Sequence, residues 1–225
     1  MKEPQQDRAA ALLETLLFDY AAGTLDEAAS LLIAALVTLN PQMRRSARVC
    51  EDLGGTLMEH TCSPVGMKPG GLERVLARLA EENEAPPPAP EKQSREDGIP
   101  RPLQAFLDRR GELGWTPEKR ASKGVEACVL SWGKGESRLR MMRFAPAASL
   151  PSHRHTGTEL MLVLTGGLAS GDRDYERGDI VVIERRVKHE TRADGQTGCL
   201  CLELRLEAFP TLTLADRLRD VLFLR

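Results

Sequence analysis

Residues 152–166 decide the fold of this chain; they read SHRHTGTELMLVLTG and contain two of the four histidines in the sequence. Because successive side chains of a β-strand point to opposite faces, His153 and His155 are predicted to project to the same side. Turn-forming residues 156–158 should reverse the chain and bring Glu159 beside them, at the start of an apolar strand. Two imidazoles and a carboxylate at one point form most of a ligand set for zinc or another first-row metal.

A fourth ligand candidate follows in residues 178–189, which read GDIVVIERRVKH. This is the pattern of a turn, a buried strand, a second turn and then His189. An isolated His-x-His is usually a surface pair, but four residues of ligand type at two correlated spacings rarely arise by chance. We therefore predict one divalent metal bound by His153, His155, Glu159 and His189. Zinc is favoured for these donors, although iron, manganese or nickel would fit the same ligands.

Length, charge and cysteine content limit the class of protein. With 225 residues, 41% of them hydrophobic, the chain can form one large domain or two small ones. The formal net charge of −2 gives no basic footprint for nucleic acid, so direct DNA binding is not expected. No secretory leader pattern or membrane-length apolar stretch is present, which predicts a cytoplasmic protein without membrane contact. The five cysteines are odd in number and scattered, as in a reduced protein.

The first forty residues predict two helices. Apolar residues recur at helical spacing over residues 12–20, and Gly23 is a natural stop for that helix. Residues 24–27 read TLDE, which has the form of a capping box and predicts that Thr24 caps a second helix. The apolar side of that helix is expected to hold leucines and alanines between residues 31 and 39.

Two more helices complete a predicted helical domain over residues 1–82. Asn40 is a good N-cap and Pro41 suits the first helical position, so a third helix should run to about His60. The sequence PGG at residues 69–71 interrupts the chain before a short fourth helix over residues 72–79.

A change of composition predicts a linker over residues 83–99. Residues 85–90 read APPPAP and are followed by the charged run EKQSRED. Proline favours extended polyproline II backbone, and nothing in this segment can bury apolar surface. The two sides of the linker are therefore expected to move semi-independently.

From about Ile99 the pattern becomes that of strands. Short runs bounded by glycine or proline occur at residues 127–132, 138–144, 179–183 and 199–204. Strands at this spacing predict an all-β sandwich or barrel over residues 100–225. Residues 214–222 fit a short amphipathic helix or a final strand equally well.

The β-region resembles the cupin superfamily. Its first motif reads His-x-His, three or four residues, Glu, six residues, Gly, and its second has Gly-Asp before a strand and a final His. The residues of this chain that match both motifs are His153, His155, Glu159, Gly166, Gly178 and His189. The resemblance implies a double-stranded β-helix barrel with the metal inside it. The chain departs from the motifs at Glu184, where proline is common, at Arg186, where glycine is common, and at the start of the first motif, which lacks glycine.

Nearly the whole chain resembles the ChrR-type anti-sigma factors. The matching stretches are residues 19–25, 54–59, 157–160, 178–180 and 199–202. The resemblance implies an α+β multidomain protein with a small N-terminal helical anti-sigma domain, a Pro-rich linker and a C-terminal cupin. It implies that the helices sequester an extracytoplasmic-function sigma factor. It also implies that the cupin regulates transcription by responding to singlet oxygen or organic peroxide, and that its integrity is needed for sigma-factor release.

The helical domain departs from this family at its own zinc site. In the family a histidine in the first helix and a His-x3-Cys-x2-Cys run bind zinc, and the matching residues here are Ala11, Leu36, Asn40 and Met43. None of them is a usual zinc ligand, so no zinc is expected in the N-terminal domain. A substitute site made of Cys50, His60 and Cys62 has little support, because two of these residues lie close together after a helix and a buried thiol is common.

Cys199 and Cys201 share one face of a predicted strand. A disulfide between residues two apart on an extended strand is geometrically unfavourable, so they fit either two small core residues or a redox sensor beside the metal. The resemblance covers both positions, but a reactive thiol also needs a lowered pKa and access, so both readings stay open at this point.

Three functions remain open from the sequence. The anti-sigma factor is favoured over an enzyme, because no further catalytic carboxylate or Ser/His arrangement can be assigned. The rival is a metal-dependent cupin dioxygenase or other small-molecule cupin enzyme, with Glu159 leaving the metal to act as a base. The third is a small-molecule sensor whose helices only oligomerise. The sequence does not indicate an oligomeric state.

Overall fold

The computed structural model describes residues 3–84, 98–132 and 137–206, with side chains from residue 8 to 80, 98 to 131 and 137 to 206. The helices in these parts are α1 (Glu3–Ala21), α2 (Glu27–Leu39), α3 (Pro41–Thr61), α4 (Gly71–Glu84) and α5 (Arg101–Arg110). The strands are β1 (Thr116–Pro117), β2 (Val125–Trp132), β3 (Ser137–Phe144), β4 (Ser149–His153), β5 (Thr158–Ser170), β6 (Arg173–Glu176), β7 (Ile180–Ile183), β8 (His189–Ala193) and β9 (Cys199–Leu206).

The strands form a curled antiparallel sheet in which β5 is the central element. The sheet order is β1-β2-β3-β9-β5-β8-β4, and β6 and β7 also pair with β5. The first part of β5 pairs with β9 and β7, whereas its second part pairs with β6 and β8. Gly166 lies between the two parts with a φ of +73°, and a Cβ there would collide with the carbonyl of Gly198. Only glycine allows the strand to pass between the two halves of the sheet.

The two faces of β5 have different partners. Leu160, Leu162 and Leu164 lie on the outer face, in the same apolar core as the leucines of α1, α2 and α5. Met161 and Val163 alternate with them and belong to a second core on the inner face of the sheet. The inner face also carries Glu159, because it is two residues before Met161. The predicted all-β region is therefore confirmed as a curled sheet with a packed inner face.

Helix α2 joins the helices to the sheet. It is apolar on nearly all sides, and Leu32, Ile33 and Leu36 are fully buried. The helix contacts α1 and α3 as well as α5, β3 and β9. Burying each of these side chains stabilises the fold by about 2 kcal/mol, so a detached α2 would be costly.

The expectation of semi-independent movement across the linker is therefore wrong for the described part of the chain, in which α1 and α2 share one apolar core with the sheet. No pattern in the sequence indicated that the outer sheet face and α2 cover each other. The domain limits at residues 82 and 99 stay predictions, because residues 85–97 lie outside the described residues.

The residue that caps the start of α2 differs from the predicted one. The Asp26 carboxylate, rather than the Thr24 hydroxyl, accepts a hydrogen bond from the Ala29 amide at 2.8 Å and caps the helix. Thr24 instead donates to the carbonyl of Asp19 at 3.2 Å. The capping-box prediction is therefore wrong, since a second capping residue lay within the same four residues.

The other predicted elements are close to those observed, with one exception. The structure confirms α1, α3 and α4 and the four predicted strand runs to within a few residues, and α4 is longer than expected. The prediction of strands from about Ile99 is wrong for α5, where Leu103, Phe106 and Leu107 pack a helix against the core. The tail at residues 214–222 lies outside the described residues. None of the helices in the described parts combines the length and apolar character that a membrane span needs.

Asn40 connects the helices to the second cupin motif. Its Oδ1 accepts hydrogen bonds from the amides of Gln42 at 3.0 Å and Met43 at 3.1 Å, which caps α3. Its Nδ2 donates to the carbonyl of Gly178 at 3.1 Å, in the turn before β7. One side chain therefore stabilises the start of α3 and fixes it to the barrel.

Substitution of Asn40 should separate these two roles. Asn40→Ala removes both and is expected to lower the free energy of unfolding by about 1–2 kcal/mol. Asn40→Asp keeps the capping acceptor but loses the donor to Gly178, so it should cost less than Asn40→Ala. Urea denaturation of the three proteins measures the difference. A wild-type midpoint for Asn40→Ala would contradict the assigned cap.

Candidate metal centre

The four predicted ligand residues meet at one end of the inner sheet face. His153 is the last residue of β4, Glu159 is the second residue of β5, and His189 is the first residue of β8. His155 lies beyond the end of β4, in the turn that leads to β5. One potential ligand atom from each residue lies within 4.8 Å of all the others. The chain turns at residues 156–158, as predicted. Of His153 and His155, however, only His153 is part of a strand.

The spacing of these side chains fits a single metal ion. Nε2 of His155 lies 2.8 Å from Oε2 of Glu159, and Nε2 of His189 lies 3.7 Å from Oε1 of the same carboxylate. Donor atoms bound to one tetrahedral zinc at about 2.1 Å lie roughly 3.4 Å from one another. The His153 ring is 4.5 Å and 4.3 Å, centroid to centroid, from the rings of His155 and His189.

The hydrogen bonds of the imidazoles support the same arrangement. His153 places Nδ1 2.8 Å from the carbonyl of Pro151, and His189 places Nδ1 3.4 Å from that of Val187. An Nδ1–H that donates to a carbonyl leaves Nε2 with a lone pair for a metal. The Nε2 atoms of His155 and His189 are buried and make no aligned hydrogen bond. Such buried nitrogens need a partner, and a bound metal would supply it.

Charge around Glu159 keeps it ionised although only 1% of it is exposed. Burial by itself raises its pKa, but the close imidazoles of His155 and His189 and the charge of Arg205 hold that pKa well below its usual range. Burial also lowers the pKa of His153, and the neighbouring imidazoles add to the effect. A carboxylate and a neutral imidazole are the forms that bind metal, so these shifts favour metal binding at neutral pH.

Alternating ion pairs extend from Glu159 along the inner face. Nε of Arg205 lies 3.2 Å from Oε2 of Glu159 and 2.7 Å from Oε1 of Glu203. Glu203 accepts a hydrogen bond from Nε of Arg140 at 2.6 Å, and Arg140 in turn lies 2.9 Å from Oε2 of Glu118. Glu203 and Arg140 are 1% and 6% exposed.

Sequence reasoning did not identify these arginines and glutamates. The available signal was the placement of Arg138 and Arg140 on β3, and of Glu203 and Arg205 on β9, at alternate positions of otherwise apolar strands. Buried charges are costly unless they are paired, so charged residues at inward positions on two adjacent strands predict ion pairs with each other.

Cys199 and Cys201 lie side by side on the inner face of β9, as expected. They are free thiols, 4% and 0% exposed. The hydrogen bond with Cys199 and burial raise the pKa of Cys201 well above its ordinary value. A protonated, buried thiol is a poor nucleophile, so these surroundings fit a packing role better than a reactive one. The redox role of the pair stays a prediction.

The residues at the positions of the family's helical zinc ligands are in surroundings unrelated to metal binding. Leu36 is fully buried in the shared core, Met43 packs against that core, and Asn40 caps α3. Ala11 is exposed. A zinc-free helical domain stays a prediction.

The suggested substitute site has no structural support within the described residues. Only the four barrel residues are gathered there as a group of ligand type, and Cys50, His60 and Cys62 are not. Nδ1 of His60 lies 2.8 Å from the carbonyl of Thr56, one turn earlier in α3.

The turn before His189 explains one departure from the cupin motif. Arg186, where glycine is common, has a φ of +65°, in the left-handed region that costs other residues about 1–2 kcal/mol. Its amide donates a hydrogen bond to the carbonyl of His155 at 2.8 Å. The turn therefore keeps its shape without glycine and holds the two ligand-bearing segments together.

Loss of a ligand should abolish metal binding. Glu159→Gln and His189→Ala are each expected to weaken metal affinity by more than about 100-fold, because even residues that only orient metal ligands are worth 10- to 100-fold. Glu190→Gln is the matched control, since Glu190 is exposed and adjacent to His189. Elemental analysis after dialysis against a chelator should find about one metal per chain in the wild type and control. Full occupancy in either ligand variant would refute the assignment.

Comparison with known proteins agrees with this geometry. The family model described as the ChrR Cupin-like domain matches residues 104–206. The anti-sigma-E factor ChrR of Cereibacter sphaeroides is 34% identical over 190 residues, which cover 84% of this chain and 85% of that protein. A crystal structure of Rhodobacter sphaeroides SigE in complex with the anti-sigma ChrR matches with a TM-score of 0.66 and 30% identity, over 85% of this chain and 96% of that one. At this identity and coverage, the chain belongs to the ChrR family of anti-sigma factors.

Proposed function

We propose that this chain is an anti-sigma factor that sequesters an extracytoplasmic-function sigma factor through its helices, and so regulates transcription in the cytoplasm. The relative whose structure it matches is in complex with the sigma factor SigE. The observation on this chain that carries the proposal is an apolar stripe on α4.

The α4 stripe consists of Leu72, Val75, Leu76 and Leu79, which are 54%, 50%, 55% and 50% exposed. Their spacing of three and four residues places them on one side of the helix. Exposed apolar stripes of this kind are typical of helices that bind a partner protein. Further large apolar residues are exposed on α3 and in the segment before α4, namely Val49, Leu53, Met58, Val65 and Met67.

The other helices are already occupied. The apolar side of α1 is covered by α3 and α2, and that of α2 by α1, α3, α5 and the sheet, so these two helices offer little apolar surface to a partner. The region from α3 to α4 is therefore the part of the helical domain that we assign to the sigma factor. Because a stripe of leucines supplies the contact, the helical zinc of the family is not required for it.

A charge placed in the stripe should weaken the complex. Leu76→Glu is expected to weaken binding of the copurifying sigma factor by about 30-fold or more, because it buries a carboxylate at an apolar contact. Ala77→Glu is the matched control, since it adds the same charge on the opposite side of α4. Capture from cells of origin followed by titration calorimetry measures both. Failure to capture any sigma factor, or equal affinities for the two variants, would refute the proposal.

We further propose that the barrel holds zinc and that oxidative stress, as singlet oxygen or organic peroxide, acts on it to release the sigma factor. Two features support this. The inner face of the barrel carries oxidisable Met142, Met161, Cys199 and Cys201, and Met161 is two residues from Glu159 along β5. The outer face contacts α2, and Asn40 ties the start of α3 to Gly178 in the second cupin motif. A change in the barrel would thus reach the helices through direct contacts.

A further inference from the structure

A cavity of about 490 Å³ opens beside the metal ligands, and its lining is strongly cationic. Its charged residues are one carboxylate and five guanidinium groups: Glu118, Arg120, Arg138, Arg140, Arg154 and Arg205. They come from the segment before β2, from β3, from β9 and from the turn between the two metal-ligand histidines. Five arginines that are distant in the sequence therefore contribute positive charge to a single site.

The nearby carboxylates do not balance this charge. Arg140 is paired with Glu118 and Glu203, and Arg205 is paired with Glu203 and Glu159. In the part of the chain that the structure describes, the lining and its paired carboxylates thus comprise five guanidinium groups and three carboxylates. A bound divalent metal would add further positive charge. Concentrated positive charge in a concave site attracts anions.

We propose that this cavity binds a small organic acid through its carboxylate group. Guanidinium groups match the planar carboxylate and bind it with two hydrogen bonds. Leu150 and Pro151 also line the cavity and provide an apolar contact for the carbon part of the ligand. The volume lies in the range of small-molecule sites and exceeds what an inorganic ion fills.

An acid bound in this cavity would lie beside the candidate metal site. His153 and His155 form part of the lining, so the ligand lies next to two of the four metal-binding residues. The buried Arg140 is held by its two carboxylates and cannot easily reorient, which makes the site preorganised. The proposal does not depend on sigma-factor binding, because every residue in it belongs to the barrel.

Titration calorimetry on the full-length, metal-analysed protein tests the proposal, with succinate, citrate and inorganic phosphate as probes. At least one of the two carboxylates should bind saturably, one per chain, and more weakly as salt is raised. Absence of carboxylate binding would overturn the proposal. Binding of phosphate without competition by either carboxylate would overturn the assignment of the ligand class.

Four variants distinguish the arginines from the metal as the binding group. Arg120→Ala at the exposed rim and Arg138→Gln on β3 should each weaken carboxylate binding about tenfold at unchanged metal content. Glu118→Gln should tighten it, because it removes the carboxylate in the lining. Arg109→Ala removes the same charge from the exposed end of α5 and should have no effect. Wild-type affinity in both Arg120→Ala and Arg138→Gln would place the acid on the metal alone and refute the cavity.

Discussion

The alternation of side chains along β5 is the constraint on which the rest of this structure depends. Inward positions hold Glu159, Met161 and Val163, and outward positions hold Leu160, Leu162 and Leu164. The first set builds the metal end and interior of the barrel, and the second forms the surface on which the helices pack. A shift by one residue would exchange the two faces, so metal site and helix packing are fixed together. This common strand supplies a physical basis for the coupling that we propose between the barrel and sigma-factor binding.

Burying the charged groups of the inner face costs desolvation free energy, and packing alone does not explain why they are there. Arg140 and Glu203 are almost fully buried, and replacing such pairs by apolar residues is often neutral or stabilising. Their retention is understandable if they position Arg205 against Glu159 and shape a cationic cavity. We therefore propose the barrel as a receptor for a metal and an organic anion, and the α4 stripe as the surface for the sigma factor.

Local patterns predicted the candidate ligand cluster that the structure brings together, whereas contacts between distant segments were not predicted. His153, His155, Glu159 and His189 could be identified because ligand chemistry and strand spacing are written within two short segments. The docking of α2 on the sheet could not, because an apolar helix does not indicate which surface covers it. Helix α5 was missed because its ten residues lie between prolines and glycine, which also bound strands. The ion pair of Arg140 with Glu203 depends on the pairing of β3 with β9, and that of Arg205 with Glu159 on the pairing of β5 with β9; residue spacing alone reveals neither.

The central claim is that oxidation at the barrel, with its metal site intact, controls how tightly the helices bind the sigma factor. The most direct measurement is the rate at which the sigma factor leaves the purified complex after exposure to an organic hydroperoxide, for the wild type and for Glu159→Gln. The account predicts release from the wild type and retention by the variant, whose α4 stripe is intact but whose metal site is not. A wild-type complex that stays bound, or equal release from both proteins, would contradict it.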